Sequence, residues 1–187
     1  MSALTQDAGP DVHHLIRQLQ AREAELALIH RIAGVGGVEV DLRDGFRNRR
    51  SPEYLMIHGL PPTAANETHE DWVARIHPED RIRVEGQFLD SLAGTASDYS
   101  AEYRIIRPSD GRTRWVRVAA QIDRDTDGRP IRLIGAHFDV TDEKLAEQAL
   151  RESEGRFRTI ANSAPIPMWV TKLDGDRSFV NQAYTEF

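Results

Sequence analysis

One phrase of this chain is written twice, and that repeat limits the architectures open to it. Val38, Val40, Asp44-Gly45, Ser51 and Tyr54 recur as Met168, Val170, Asp174-Gly175, Asn181 and Tyr184, each 130 residues further on. Both copies read as strand, Asp-Gly turn, return strand, polar cap and short helix, the order of a hairpin that feeds a helix. A related helical phrase leads each of them, Arg22-Glu23-Ala24-Glu25 and Arg151-Glu152-Ser153-Glu154. Repetition at a fixed period is the mark of stacked like modules. The first copy runs on into further strands, whereas the second has barely begun at Phe187. The expectation is the front end of a longer modular protein whose output activity lies further along.

Composition removes several functions. Lysine and arginine number 24 against 30 acidic residues, a net charge of −6. The densest basic cluster, Arg47, Arg49 and Arg50, reads as a solvated turn and strand, so no nucleic-acid partner is expected. No run reaches the roughly 18 apolar residues of a membrane span, so no membrane contact by this segment is expected. Met1 to Pro10 lack the basic-then-apolar layout of a signal peptide, which makes the cytoplasm the default location. Cysteine is absent. That excludes disulfides, thiolate zinc sites, c-type haem attachment and any cysteinyl adduct to a chromophore.

Along the chain, residues 11–33 read as a helix with apolar positions Val12, Leu15, Leu19, Leu26, Ile29 and Ala33, interrupted by Arg22. This is either a coiled coil or an amphipathic helix lying on its own domain. Gly34, Gly36 and Gly37 end it, Val38 to Asp41 alternates as a strand, and Phe46 to Arg50 returns. Ser51-Pro52-Glu53 starts a helix and short helical pieces follow to Ile76. His77-Pro78-Glu79-Asp80 reads as the start of another helix, its proline and carboxylates suited to the first turn rather than to acid–base catalysis. Three long strands come next: Tyr99 to Arg107, Thr113 to Ile122 and Ile131 to Val140. Two strands, several short helices and three strands predict an α+β domain with an antiparallel sheet. Asp139-Val140-Thr141 then opens a helix whose apolar seam includes Leu150 and Phe157.

In order and spacing these pieces resemble a PAS sensory domain with its C-terminal PAC motif. The resemblance is carried by Gly37 to Asp41, His77-Pro78-Glu79-Asp80-Arg81, Glu102-Tyr103-Arg104-Ile105, Asp110 to Val116, Asp127-Gly128-Arg129-Pro130 and Gly135 to Thr141. It covers about residues 33–141, and residues 151–187 resemble the opening of a second PAS domain. Val38 stands where this subgroup often has tryptophan. The resemblance implies a five-stranded antiparallel sheet cupping a small pocket, with helices on one face and flanking signalling helices at both ends. The expected boundaries are a helix over 1–32, a sensory domain over 33–140, a linker helix over 141–162 and a truncated second domain over 163–187.

Strand alternation puts Glu102 and Arg104 on one face and Tyr103 and Ile105 on the other. It likewise separates Trp115 from Val116, Val118 and Ala120. By resemblance, Tyr103, Ile105, Val116, Val118 and Ala120 line the pocket and Trp115 faces the flanking helices. His137 shares a face with Gly135 and Asp139. It either enters the pocket, where flavin-binding relatives carry a glutamine, or is satisfied by water or backbone. In the first case its titration near pH 6.5 would make ligand binding pH-sensitive. A flavin adduct is excluded by the missing cysteine, and Val116 replaces the asparagine of those relatives. A haem lacks support because residues 79–92 hold no histidine. The expected ligand is small and largely apolar.

His13, His14 and His30 lie in no kinase phosphoacceptor motif. The reading is a non-enzymatic PAS input module of a signalling protein, a sensor histidine kinase or a cyclase. It dimerises through Leu15, Leu19, Leu26, Leu150 and Phe157, with Asp139, Thr141 and Trp115 as the joint to the output helix. The rivals are a ligand-free dimerising spacer and a small cone-shaped α+β enzyme.

Overall fold

The computed structural model describes residues 12–43, 45–64 and 67–186. Met1 to Asp11, Asp44, Ala65, Asn66 and Phe187 lie outside the described residues. The chain divides into two compact units, residues 1–140 and 141–187.

The first unit opens with helix α1 (Val12–Ile32), which buries no residue. That removes the reading of a helix lying on its own domain. Gly34, in the left-handed region at φ 62°, ends α1. Gly36 has a different task from the one expected of it. A Cβ there would stand 2.7 Å from the Cα of Tyr54, so only glycine lets the next helix cross the first strand this closely.

The sheet comprises β1 (Gly36–Asp41), β2 (Arg47–Arg50), β3 (Asp98–Ile106), β4 (Thr113–Arg124) and β5 (Pro130–Asp139). The strands are antiparallel throughout, in the order β2-β1-β5-β4-β3. The chain's first and last strands of this unit are therefore neighbours at the centre of the sheet, with Gly36 opposite His137. Between β2 and β3 run α2 (Pro52–His58), α3 (His69–Arg75) and α4 (Arg81–Ala93). Ser51 caps α2 by accepting from the Tyr54 amide at 3.2 Å, with Pro52 at the first helical position. Thr68 and Asp71 close a capping box on α3. Val84 and Phe88, four residues apart on α4, pack with Ile76, Tyr103, Ile105, Val116 and Val118 in one buried cluster.

The start of α4 departs from the sequence reading. Pro78 lies in a turn before the helix, and Asp80, the N-cap residue, makes no side-chain cap. Its carboxylate accepts instead from the Arg104 backbone amide at 2.9 Å and from the Arg104 guanidinium at 3.0 Å. Glu79 takes the same guanidinium at 2.8 Å. Arg104 holds the Asp80 carboxyl below its usual range. These acids fasten α4 to β3 across the chain, a task that needs the partner strand and is invisible locally.

The second unit contains α5 (Thr141–Ser163), the hairpin β6 (Trp169–Thr171) and β7 (Arg177–Val180), and α6 (Gln182–Thr185). The repeated phrase folds the same way twice. Ser51 Oγ accepts from the amides of Gly37 and Tyr54, and Asn181 Oδ1 accepts from those of Met168 and Tyr184. Each knot thus ties a strand's start to a helix's start through one polar side chain.

Candidate functional site

Helix α2 carries Tyr54 and His58 four residues apart, which puts both on its inner face. Their rings stack with centroids 4.1 Å apart and an interplanar angle of 17°. From β5, His137 meets His58 ring to ring, His58 Nε2 to His137 Nδ1 at 2.9 Å. Both imidazoles are buried. Burial, followed by the positive charge of Arg75, pushes His137 down to about 3. Burial, then His137, Arg75 and Arg50, holds His58 well below the ordinary histidine value. The pair is neutral at physiological pH and shares one proton between facing nitrogens. This corrects the expectation that His137 titrates near pH 6.5.

Behind Tyr54 lies a buried ionic group. Arg50 from β2 pairs with Glu67 at 3.2 Å, and Arg75 from α3 pairs with the same carboxylate. The Tyr54 hydroxyl donates to Glu67 at 3.3 Å. Two guanidinium groups thus face one carboxylate and leave an excess positive charge in low dielectric. That field is part of what keeps the histidines unprotonated.

Tyr54, Glu67 and His137 help to wall a cavity of about 80 Å³ between the sheet and helices α2 to α4. Its surface is chiefly aromatic. Trp72, Phe88 and Tyr103 pack edge to face around it, and the Trp72 indole donates to the Tyr103 hydroxyl at 3.1 Å. Two of the lining residues carry a buried polar atom without a hydrogen-bond partner, the Tyr99 hydroxyl and Asn48 Oδ1. The volume suits a few waters and is below the roughly 150 Å³ of an apolar cavity that holds benzene. Among the described residues no three histidine or acidic groups converge as a metal site.

A family model described as the PAS fold matches residues 48–137. The crystal structure of a sensory box histidine kinase/response regulator from Burkholderia thailandensis is 31% identical, covers 72% of this chain and 98% of that one, and superposes with a TM-score of 0.59. The chain belongs to the PAS fold family. Its PAS domain is also similar to the sensor protein FixL of Bradyrhizobium diazoefficiens, 30% identical over 108 residues, and to an uncharacterised protein of Sinorhizobium fredii, 34% identical over 115 residues. These matches take in 58% and 62% of the present chain. The chain spans 21% and 14% of the length of those two curated relatives.

Within the PAS domain the residues expected at the pocket fall into two groups. His137, Val118 and Tyr103 line the cavity, as does Val38 at the position that departs from the subgroup. Val116 and Ile105 are fully buried but lie in the core outside the lining. Ala120 is also outside it, because it is spent on close packing. A Cβ on Gly135 opposite would come within 3.2 Å of the Ala120 methyl. Trp115 lies under the Arg104 guanidinium, 5.6 Å from its ring centre, and its carbonyl accepts from the Val140 amide. Asp139 pairs with Arg114 at 3.6 Å, and the Glu102–Arg117 cross-strand pair is 2.6 Å long. Leu15, Leu19 and Leu26 on α1, and Leu150 and Phe157 on α5, are all exposed. Sequence reasoning missed His58, Tyr54, Asn48 and the Arg50–Glu67–Arg75 group. One signal was present for two of them: Tyr54 and His58 at a four-residue step, in a helix whose other buried apolar positions are Leu55 and Ile57.

Proposed function

We propose that this PAS sensory domain is the cytoplasmic input module of a larger signalling protein with a histidine kinase output. It works as a homodimer whose flanking helices α1 and α5 carry the signal. The observation that carries this reading is the placement of His137. It touches the cavity through its own ring and touches α2 through His58, and it lies two residues before Asp139 on the strand that ends the domain. A change of cavity occupant therefore acts on β5 close to the point where the chain leaves the sheet. The names of the relatives, a sensor protein and a sensory box histidine kinase/response regulator, support a sensory role upstream of phosphotransfer. The exposed apolar seams support pairing, because Leu15, Leu19, Leu26, Leu150 and Phe157 have no cover within the described residues sufficient to bury them. The repeated hairpin and capped α6 support a second PAS domain beginning within residues 163–187.

The test is Asp139→Ala in the complete protein. With the Arg114 pair removed, β5 is expected to keep its ladder while the end of the strand loosens. The output activity should then lose its response to input while the circular dichroism spectrum stays that of the wild type. A wild-type response from this variant would refute the coupling role.

A further inference from the structure

The two copies of the repeated phrase differ in one side chain, and the difference bears on the helix that leads each of them. Ser51 Oγ accepts from two amides, Gly37 at 3.0 Å and Tyr54 at 3.2 Å. Asn181 is fully buried and serves four backbone groups. Its Oδ1 accepts from the amides of Met168 at 2.8 Å and Tyr184 at 3.1 Å. Its Nδ2 donates to the carbonyls of Ala161 at 2.8 Å and Ile166 at 2.9 Å. Both halves of the carboxamide are fully used, which fixes its orientation. A serine hydroxyl has one hydrogen to give and could not make both donations.

The additional pair of bonds reaches back to α5. Ala161 lies in the last turn of that helix, where carbonyls run out of intrahelical donors. A second link runs the same way, from the Gln182 amide at the start of α6 to Asn162 Oδ1 at 3.0 Å. One turn earlier the Phe157 ring meets Phe179 of β7 edge to face at 5.2 Å, and the Arg158 guanidinium lies 5.8 Å from the same ring. The stretch from α5 to β6 contains Pro165 and Pro167, whose fixed φ angles stiffen it. In the first unit, by contrast, α1 buries no residue and ends at Gly34 in the left-handed region. The helix leading the second copy is clamped to its hairpin, and the helix leading the first is not.

We propose that Asn181 is the positioning residue that couples α5 to the second PAS module. The oxygen of its carboxamide holds the start of the module together, and its NH2 group carries movement of α5 into it. A turn or slide of α5 displaces the Ala161 carbonyl, and with it the one side chain from which β6 and α6 are both capped. Movement that reaches α5 is thus delivered to the next module instead of being lost in the link. This rests on the reading of α5 as a signalling helix and of residues 163–187 as the start of a second PAS domain. It names the residue at which the signal passes from helix to module.

The test is double electron–electron resonance on the full chain, with nitroxides at Glu154→Cys on α5 and Leu173→Cys in the β6–β7 turn. Both positions are exposed, and the chain has no cysteine of its own to compete for label. The labelled parent should give one narrow distance distribution. Asn181→Ser keeps an acceptor for the Met168 and Tyr184 amides, as Ser51 does in the first copy, and loses the paired donation to the two carbonyls. A displaced distance component should then grow about tenfold, the effect of losing one to two net hydrogen bonds. Hydrogen exchange should show the Met168 and Tyr184 amides still protected. Asn162→Ala, at an exposed position, should enlarge the same component about threefold. A broad distribution in the parent would overturn the assignment, as would an unchanged one in Asn181→Ser with both amides protected. If Asn181→Ser leaves those amides unprotected, the module itself has come apart and Asn162→Ala decides: growth of the component upholds the coupling, and no change refutes it. These distances do not depend on output activity, so the clamp and the Asp139→Ala response in the complete protein fail separately.

Discussion

Acidification from about pH 7.5 to about pH 5.5 is expected to destabilise the domain through the His58–His137 pair. An unfolded histidine titrates near 6.5, whereas His137 is pushed down to about 3 and His58 lies well below its ordinary value. Between those limits only the unfolded chain takes up the proton, so stability is full above about pH 6.5 and falls as the pH drops toward the folded values. For a single such histidine the loss between the two pH values is about 1.4 kcal/mol, and for the pair about 2.7 kcal/mol. In a domain of about 100 residues that corresponds to a melting point lower by roughly 10 °C. The groups that face the pair are Tyr54 on α2, Arg50 on β2, Arg75 on α3 and the carboxylate of Glu67. Asp41 and Asp80, both held low by arginine, titrate below this window. Thermal melts followed by far-ultraviolet circular dichroism at the two pH values, on the wild type and on the His58→Phe/His137→Phe double variant, measure the effect. The double variant should lose most of the acid sensitivity. If it melts with the same pH dependence as the wild type, the buried neutral pair is not the source and the reasoning fails.

Three further outcomes are expected. Asp80→Asn removes charge-assisted bonds from the Arg104 amide and guanidinium and should cost about 1.5–3 kcal/mol in urea unfolding; a loss below about 0.5 kcal/mol, the usual scale of an exposed pair, would return Asp80 to a surface role. Gly36→Ala drives a methyl to 2.7 Å from the Tyr54 Cα, so α2 must shift and the protein should lose about 1–3 kcal/mol; unchanged stability would mean that α2 moves freely on the sheet. Sedimentation of residues 33–141 beside the full chain should give a monomer and a dimer respectively, and two monomers at tens of micromolar, a range typical of weak association, would refute pairing through the seams.

The sheet was legible because strands report themselves locally. Tyr103 and Ile105 alternate with Glu102 and Arg104, and Asp-Gly turns separate the long strands, so the inner and outer faces could be read without a partner in view. The Ser51 cap was legible for the same reason. The site was not, because its logic is long-range. His58 lies in a seven-residue helix too short to show a period, and its partner is 79 residues away. Asp80 looks like a cap until Arg104, 24 residues on, takes its carboxylate. Alternation assigned Val116, Val118 and Ala120 to one face correctly but could not rank them along it. Which of them meets a cavity depends on what sits above: Val118 has the gap, Val116 the core cluster and Ala120 the glycine of β5.

The adjacency of β1 and β5 has a consequence for how such a protein is put together. The chain comes into the sheet at Gly36 and departs after Asp139, and Gly36 lies directly across from His137. Paired residues on antiparallel strands are only about 5 Å apart. A hundred-odd residues of sensor are thus looped off a backbone path whose two ends nearly touch. Domains with neighbouring termini can be inserted or removed with little effect on what flanks them. A length of chain bounded near Gly36 and Asp139 can therefore be inserted between two other segments while adding little distance between the points it joins.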